Sequence, residues 1–303
     1  MKLHYDPRFK KTNRIKDFFR KFFLSNQVVK KIKRLEEENK NLKKYITQTK
    51  YRNLVSKKKN LKIHECKIFS QNGEDGLIME ILSNIGVKNF TFIEIGVQDS
   101  IECNSTNLLL NLNWIGAQFE GCKESYNDGK KFLKEKGIKN NQCKLLNEFI
   151  NAENINSLIK KTGIIGEIDF FSLDIDGNDY WVWKNINIIK PRLVVLEYNS
   201  SFGEDDPLTI SYNPDFIWDN KNEKRFLYGA SLKALEKLSK KKGYDLICVD
   251  SKGVNAFFVR KDLMRNSILR KMKSKDVFVY NKGHNAKLND IKNIVKKYNL
   301  VTV

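Results

Sequence analysis

Phe90-Thr91-Phe92-Ile93-Glu94-Ile95-Gly96-Val97-Gln98-Asp99 reads as a buried strand running into a tight turn. Aromatic and β-branched residues fill the strand, one acid interrupts them, and a single glycine follows the last apolar position. From Glu65 onward, strands and helices alternate around this segment, which argues an α/β domain with a mostly parallel sheet covered on both faces.

Upstream, Gly73 to Ile85 is expected to be a helix with Leu77, Ile78, Ile81 and Leu82 on its inner side. Downstream, helices are expected at Asn107–Leu112, Lys123–Lys136, Ala152–Lys161, Tyr180–Ile188 and Ala230–Lys242. Strands are expected at Ile115–Phe119, Gln142–Leu146, Ile168–Leu173 and Leu193–Leu196, the last opened by Pro191. A long loop runs from Asn199 to about Phe226. Tyr244–Val249 and Val254–Val259, around Ser251-Lys252-Gly253, form a closing antiparallel hairpin. Seven strands in this order follow the plan of a class I methyltransferase, a Rossmann-like, doubly wound sheet. Ligands of such sheets bind outside the C-terminal strand ends.

The acids fall at those ends. A sulfonium cofactor needs a carboxylate for its ribose hydroxyls and a close backbone turn for its methionine half. Glu94, Gly96 and Asp99 stand at the first turn, and Glu120-Gly121 ends the second strand about 25 residues on, where such folds place a ribose-binding acid. A dinucleotide site would require G-x-G-x-x-G, and only one glycine is present. The alternative for Glu94 is a helix-capping carboxylate. The fourth strand runs into Asp174-Ile175-Asp176-Gly177-Asn178-Asp179, and the fifth ends Glu197-Tyr198-Asn199. Neighbouring strand ends therefore bring Asp174, Asp176, Glu197 and Asn199 into one cleft. Their mutual repulsion should raise a carboxylate pKa or recruit a divalent cation. Asp179 is expected to cap the following helix.

Residues 65–260 resemble the FkbM-type methyltransferases. The resemblance is carried by Ser70-Gln71-Asn72-Gly73-Glu74-Asp75-Gly76, by Glu102-Cys103-Asn104 with Thr106, and most specifically by Asp174-Ile175-Asp176-Gly177-Asn178-Asp179-Tyr180-Trp181-Val182-Trp183. Glu197-Tyr198-Asn199 and Gly253-Val254-Asn255-Ala256-Phe257-Phe258-Val259 complete it. The resemblance implies S-adenosylmethionine and O-methylation of a hydroxyl, often on a sugar or polyketide. From their places at the strand ends, Glu94, Gly96, Asp99, Glu120 and Asp174 are expected to serve the cofactor and Asp174, Asp176 and Glu197 the chemistry, with Asp176 the first choice of base. Asn178 and Asn199 fall to the acceptor. The family's first turn carries more glycine, where this chain has Gln98 and Ser100.

Charge divides the chain. Residues 1–62 hold 21 Lys+Arg against 5 Asp+Glu, a net +16, while the remainder holds 35 against 31, a net +4. Ile15, Phe18, Phe19, Phe22 and Phe23 make one helical stripe among basic residues, the pattern of a helix lying on an anionic membrane or docking on the protein's own surface. Val28, Ile32, Leu35, Asn39, Leu42 and Ile46 form a heptad seam, which predicts a homodimer through residues 28–46, with a plain amphipathic helix as the alternative. Expected domains are this basic extension (1–62), a methyltransferase domain (63–260) and a helical tail (261–303). Five scattered cysteines and no signal-peptide pattern favour a cytoplasmic protein, peripheral on the inner membrane face. No nucleic-acid motif accompanies the basic patch. The expected activity is methyl transfer to a hydroxyl-bearing glycan or small molecule, such as a sugar of a cell-surface polysaccharide or glycolipid precursor. The alternatives are an inactive scaffold and a metal-dependent glycosyltransferase using Asp174-x-Asp176.

Overall fold

Strand alternation decides what each residue of the central sheet meets. In the computed structural model, residues 61–219, 221–284 and 297–303, with Asn293 and Val295, are described. The amphipathic stripe and the heptad seam lie outside these residues. Nine strands occur among them: β1 (Thr91–Ile95), β2 (Ile115–Glu120), β3 (Cys143–Asn147), β4 (Gly166–Leu173), β5 (Ile189–Glu197), β6 (Leu208–Ile210), β7 (Tyr244–Val249), β8 (Asn255–Arg260) and β9 (Leu300–Thr302). The helices are α1 (Glu74–Ile85), α2 (Thr106–Leu110), α3 (Lys123–Glu135), α4 (Ile155–Thr162), α5 (Asp179–Asn185), α6 (Leu232–Lys241) and α7 (Ser274–Val277).

Seven strands form one sheet in the order β3-β2-β1-β4-β5-β8-β7. Its β1–β2, β1–β4, β2–β3 and β4–β5 pairs are parallel, and β8 runs antiparallel to both β5 and β7. This is the class I methyltransferase order. Ile93, Ile95, Phe171, Leu173, Val194 and Leu196 pack on the face covered by α4, α5 and α6. Phe92, Phe170, Leu193 and Val195 pack on the opposite face with residues of α1 and α2. Period two therefore assigns Glu94, Ser172 and Glu197 to the α1–α2 side. The order reverses between β1 and β4, so their C-terminal ends diverge and leave a crevice.

Element types match expectation, and the boundaries move for local reasons. The helix expected from Ala152 starts at Ile155, because Asn151 and Asn154 each accept the other's backbone N–H (2.9 Å both ways) in a turn before it. The fifth strand begins at Ile189 and contains Pro191; pairing with β8 starts only at Leu193, so no partner there requires the missing N–H. Asp250 accepts from the N–H groups of Lys252, Gly253, Val254 and Asn255 and shapes the hairpin between β7 and β8. The long loop after Asn199 is not without structure. Its strand β6 pairs antiparallel with β9 near the C-terminus, so residues beyond 260 are not a purely helical tail. No helix among the described residues is long and apolar enough to cross a membrane.

Tyr198 ties the post-sheet segment to the core. Its hydroxyl is carried by a side chain only 1% exposed, and it donates to the carbonyl of Val279 (2.7 Å) while accepting from the Val279 N–H (3.3 Å). Tyr198→Phe should lower stability by about 1–3 kcal/mol, the cost of leaving those groups without a partner. Urea denaturation of the two proteins checks this, and equal midpoints would show the segment to be held elsewhere.

Candidate active site

The β1 and β4 ends meet at Gly96. Its φ of +82° is in the left-handed region, and a Cβ there would overlap the carbonyl oxygen of Asp174. The Asp174 N–H donates to the Ile95 carbonyl (3.0 Å), and the Gly96 N–H to that of Phe119 (2.9 Å). Three strand ends are thereby drawn to one point, below a cleft of about 700 Å³.

One half of the cleft lies over β1, β2 and β3. Glu120 accepts from the N–H groups of Gln98 and Cys122 (2.7 Å each), which aims its carboxylate at the turn after β1. An ionised carboxylate offers about four lone-pair sites, so two such bonds leave Glu120 capacity for ligand hydroxyls. Phe149 and Ile150, just after β3, form an apolar wall of the same half. Sequence reasoning missed this pair, because nothing in the run after β3 distinguishes a wall from an ordinary loop.

Glu94 takes the capping alternative. It accepts from the N–H groups of Asn104 (2.9 Å) and Ser105 (2.7 Å), the two residues that lead into α2. Burial pushes its pKa up, and those donors only partly offset the rise. Glu94 therefore orders the segment entering α2 and floors the cleft. Asp99 is also corrected: its Oδ1 accepts from the Ile101 N–H (3.0 Å) and it does not line the cleft. Gln98 and Ser100 hold φ of +48° and +60°, values that favour glycine. The chain makes the glycine-type turn without glycine, at a cost on the order of 1 kcal/mol per residue.

The other half lies over β4 and β5. Their parallel register pairs Leu173 with Leu196, which sets Asp174 and Glu197 next in line on adjacent strands. Asp174, Asp176 and Glu197 each place one carboxylate oxygen within 4.8 Å of the others. Burial, then mutual repulsion, raises Asp174 and Glu197 well above the usual carboxylate range, and burial raises Asp176. Asp176 has φ +50°, held by Asp179, whose carboxylate reaches back to the N–H groups of Ile175 (3.0 Å) and Gly177 (2.9 Å). Asp179 thus braces the loop before α5, where it was expected to cap the helix. Burial lifts its pKa to about 6 against those two bonds.

Asn178 stays a candidate. It lines the cleft, donating through Nδ2 to the Asn213 carbonyl (2.7 Å). Asn199 does not. It is fully buried, donates to the carbonyls of Phe226 (2.8 Å) and Tyr228 (2.9 Å), and accepts from the Ser201 N–H (2.9 Å), so it is a structural brace for the long loop. That loop brings Phe216, Trp218, Arg225 and Tyr228 to the cleft, and Asn255 joins from the start of β8. Asn255 lies within the motif at 253–259, and its pairing with Glu197 sets it beside the acids.

No protein-family model and no curated protein matches this chain. Among solved structures it is similar to an O-methyltransferase from Bacillus cereus in complex with SAH, at 14% identity and a TM-score of 0.40, over 66% of this chain and 83% of that one. It is also similar to a S-adenosylmethionine-dependent methyltransferase from Clostridium acetobutylicum, at 12% identity and a TM-score of 0.40, over 71% and 98%. Likeness at this level carries no argument. The fold rests on strand order and register.

The raised carboxyls have a consequence for stability. Asp174, Asp176, Asp179 and Glu197 hold their protons more tightly in the fold than in the unfolded chain, where carboxyls titrate near about 4. Stability from them is present below that value and falls as pH rises through the folded pKa values. Glu197→Gln imitates the protonated form and is exempt. With chelator present, its stability relative to the unaltered protein should improve from pH 5 to pH 8. A constant difference in denaturation midpoint would show that Glu197 does not titrate in that window.

Proposed function

We propose that this protein is an enzyme transferring a methyl group from S-adenosylmethionine to a hydroxyl oxygen of a glycan or small-molecule acceptor, with a sugar of a cell-surface polysaccharide or glycolipid precursor as the favoured class. The observation that carries the reading is a single cleft at the sheet's switch point. It has an open-sided carboxylate, Glu120, over β2 and three mutually facing carboxylates over β4 and β5.

The residues present fit the cofactor. Glu120 offers acceptor sites to the ribose hydroxyls, Phe149 and Ile150 offer an apolar wall to the adenine, and Gly96 keeps the backbone low where the methionine half would lie. S-adenosylmethionine, when bound, supplies an electrophilic methyl group. In-line attack then needs alignment and somewhere for the hydroxyl proton to go. Asp176 receives that proton: it is only half buried, and burial raises its pKa above the usual carboxylate value, which makes it a stronger base. Phe216 and Trp218 supply apolar surface beside these acids, which matches a sugar's mixed faces. One feature favours an inactive scaffold instead: Gln98, on the cleft at φ +48°, adds a side chain where the cofactor's methionine half would pass.

Calorimetry with S-adenosylhomocysteine separates the two readings. The unaltered protein should bind it, and Glu120→Ala should lose about 1.5–3 kcal/mol of affinity, the scale of hydrogen bonds to a charged group. No binding by the unaltered protein would favour the scaffold, and unchanged binding by the variant would remove Glu120 from the site. Asp176→Asn should reduce turnover about 10²–10⁴-fold while leaving that binding intact.

The net +16 of residues 1–62 supports action at the cytoplasmic face of an anionic membrane, and the seam at 28–46 supports a homodimer. Full-length chain should sediment with anionic vesicles at low salt and be released at high salt. Binding indifferent to salt would argue against the electrostatic reading.

A further inference from the structure

Strands β1 to β5 all enter the sheet at the pole opposite the cleft. That pole is made by segments 86–90, 111–114, 136–142, 163–169, 186–192 and 240–243, with 260–262 arriving from the antiparallel β8. Together these segments hold ten Lys+Arg against three Asp+Glu, a net +7. The cleft at the other pole is lined by eight Asp and Glu residues and, among the described residues, one arginine, Arg225. Charge is therefore separated along the strands, although residues 63–303 as a whole carry only +4.

The cations of the basic pole do two different jobs. Lys88, Arg192 and Arg260 all reach Glu167 (3.2, 2.9 and 3.2 Å) and tie the loops together. Lys139, Lys190 and Lys241 are exposed and have no carboxylate partner among the described residues. Large apolar side chains stand among them: Phe90 is 52% exposed, Ile115 50% and Ile165 60%. The Ile115 N–H donates to the Phe90 carbonyl (3.0 Å), so those two are neighbours. Asn89 Nδ2 donates to the carbonyl of Glu167 (2.6 Å), two residues beyond Ile165. Phe90 also meets Trp114 edge-on at 5.8 Å, on the wall of an apolar cavity of about 420 Å³. Its φ of +53° favours glycine or asparagine, yet a half-exposed phenylalanine holds the position.

We propose that this pole docks the domain on an anionic phospholipid bilayer, with Phe90, Ile115 and Ile165 entering the headgroup boundary and Lys139, Lys190 and Lys241 facing lipid phosphates. Apolar side chains ringed by unpaired lysines are what such a surface binds. A second copy presents the same +7 and is repelled. The acidic cleft is repelled by the same bilayer, so the charge separation fixes orientation as well as affinity. β4 has eight residues, which at about 3.3 Å each holds the cleft about 26 Å from the pole, opening to water. On the proposed methyl-transfer reading, the acceptor is then a soluble sugar or the part of a glycan far from any lipid anchor.

The test uses full-length protein and phosphatidylcholine vesicles, with and without phosphatidylserine, whose acyl chains are brominated to quench nearby tryptophan. Quenching is expected only with phosphatidylserine. Trp114→Phe should remove most of it, whereas Trp218→Phe, which deletes the tryptophan at the cleft, should leave it. Replacing the three exposed lysines by glutamate, or Phe90→Asn, should abolish quenching even where the chain still sediments with the vesicles through residues 1–62. Circular dichroism establishes that the variants are folded. Vesicle-bound protein without quenching, quenching lost in Trp218→Phe instead of Trp114→Phe, or quenching unchanged in both face variants overturns the proposal. Binding to single-stranded RNA that is lost in the same face variants, with no quenching by lipid, would make the pole a nucleic-acid surface and overturns it too. S-adenosylhomocysteine calorimetry on the same protein tests methyl transfer separately. Cofactor binding without quenching sinks the docking face alone, and quenching without cofactor binding sinks the methyl-transfer reading alone.

Discussion

Everything in the cleft depends on how closely β4 passes β1. The Asp174 N–H reaches the Ile95 carbonyl, and Gly96 has no Cβ where the Asp174 oxygen already lies. With any larger residue the two ends would part. The turn after β1 would then shift from the end of β2, to which the Gly96 N–H also donates. One glycine therefore holds two chemically distinct half-sites in one cleft.

Around that point the chain spends its buried polar groups on shape. Glu94 orders the entry to α2, Asp75 accepts from the N–H groups of Ile68, Phe69 and Ser70, and Asp250 folds the closing hairpin. Glu74 accepts from Asn72 and, across the domain, from the Asn255 side chain (2.9 Å). Several of the acidic stretches are thus devices for holding loops. Each needs both the carboxylate and the run of amides it binds.

The carboxylates over β4 and β5 are treated differently. Asp179 is satisfied by amides, whereas Asp174, Asp176 and Glu197 face one another and stay shifted upward. Burying like charges together is costly unless protons or a cation join them. That cost is concentrated at the only place among the described residues where three acids could hold a metal ion. Such concentration is what a reactive centre requires and what a purely structural network avoids.

Local pattern was enough for the element types, the order of the seven main strands, and the placing of Glu120, Asp174, Asp176 and Glu197 at strand ends. Period two and the punctuation by glycine and asparagine are short-range properties, and the parallel order follows from alternation. Roles were another matter. Glu94 and Asn199 looked like Glu120 in sequence, and only amides and carbonyls brought from further along the chain turned them into braces, whereas Asp99 binds the Ile101 amide in a local turn. Strand β6 and the aromatic wall of Phe216 and Trp218 were unreadable, since a three-residue strand has no period and its partner β9 lies about 90 residues away. The face a residue takes is written in its neighbours; whether a carboxylate there is free or filled depends on groups brought to it across the fold.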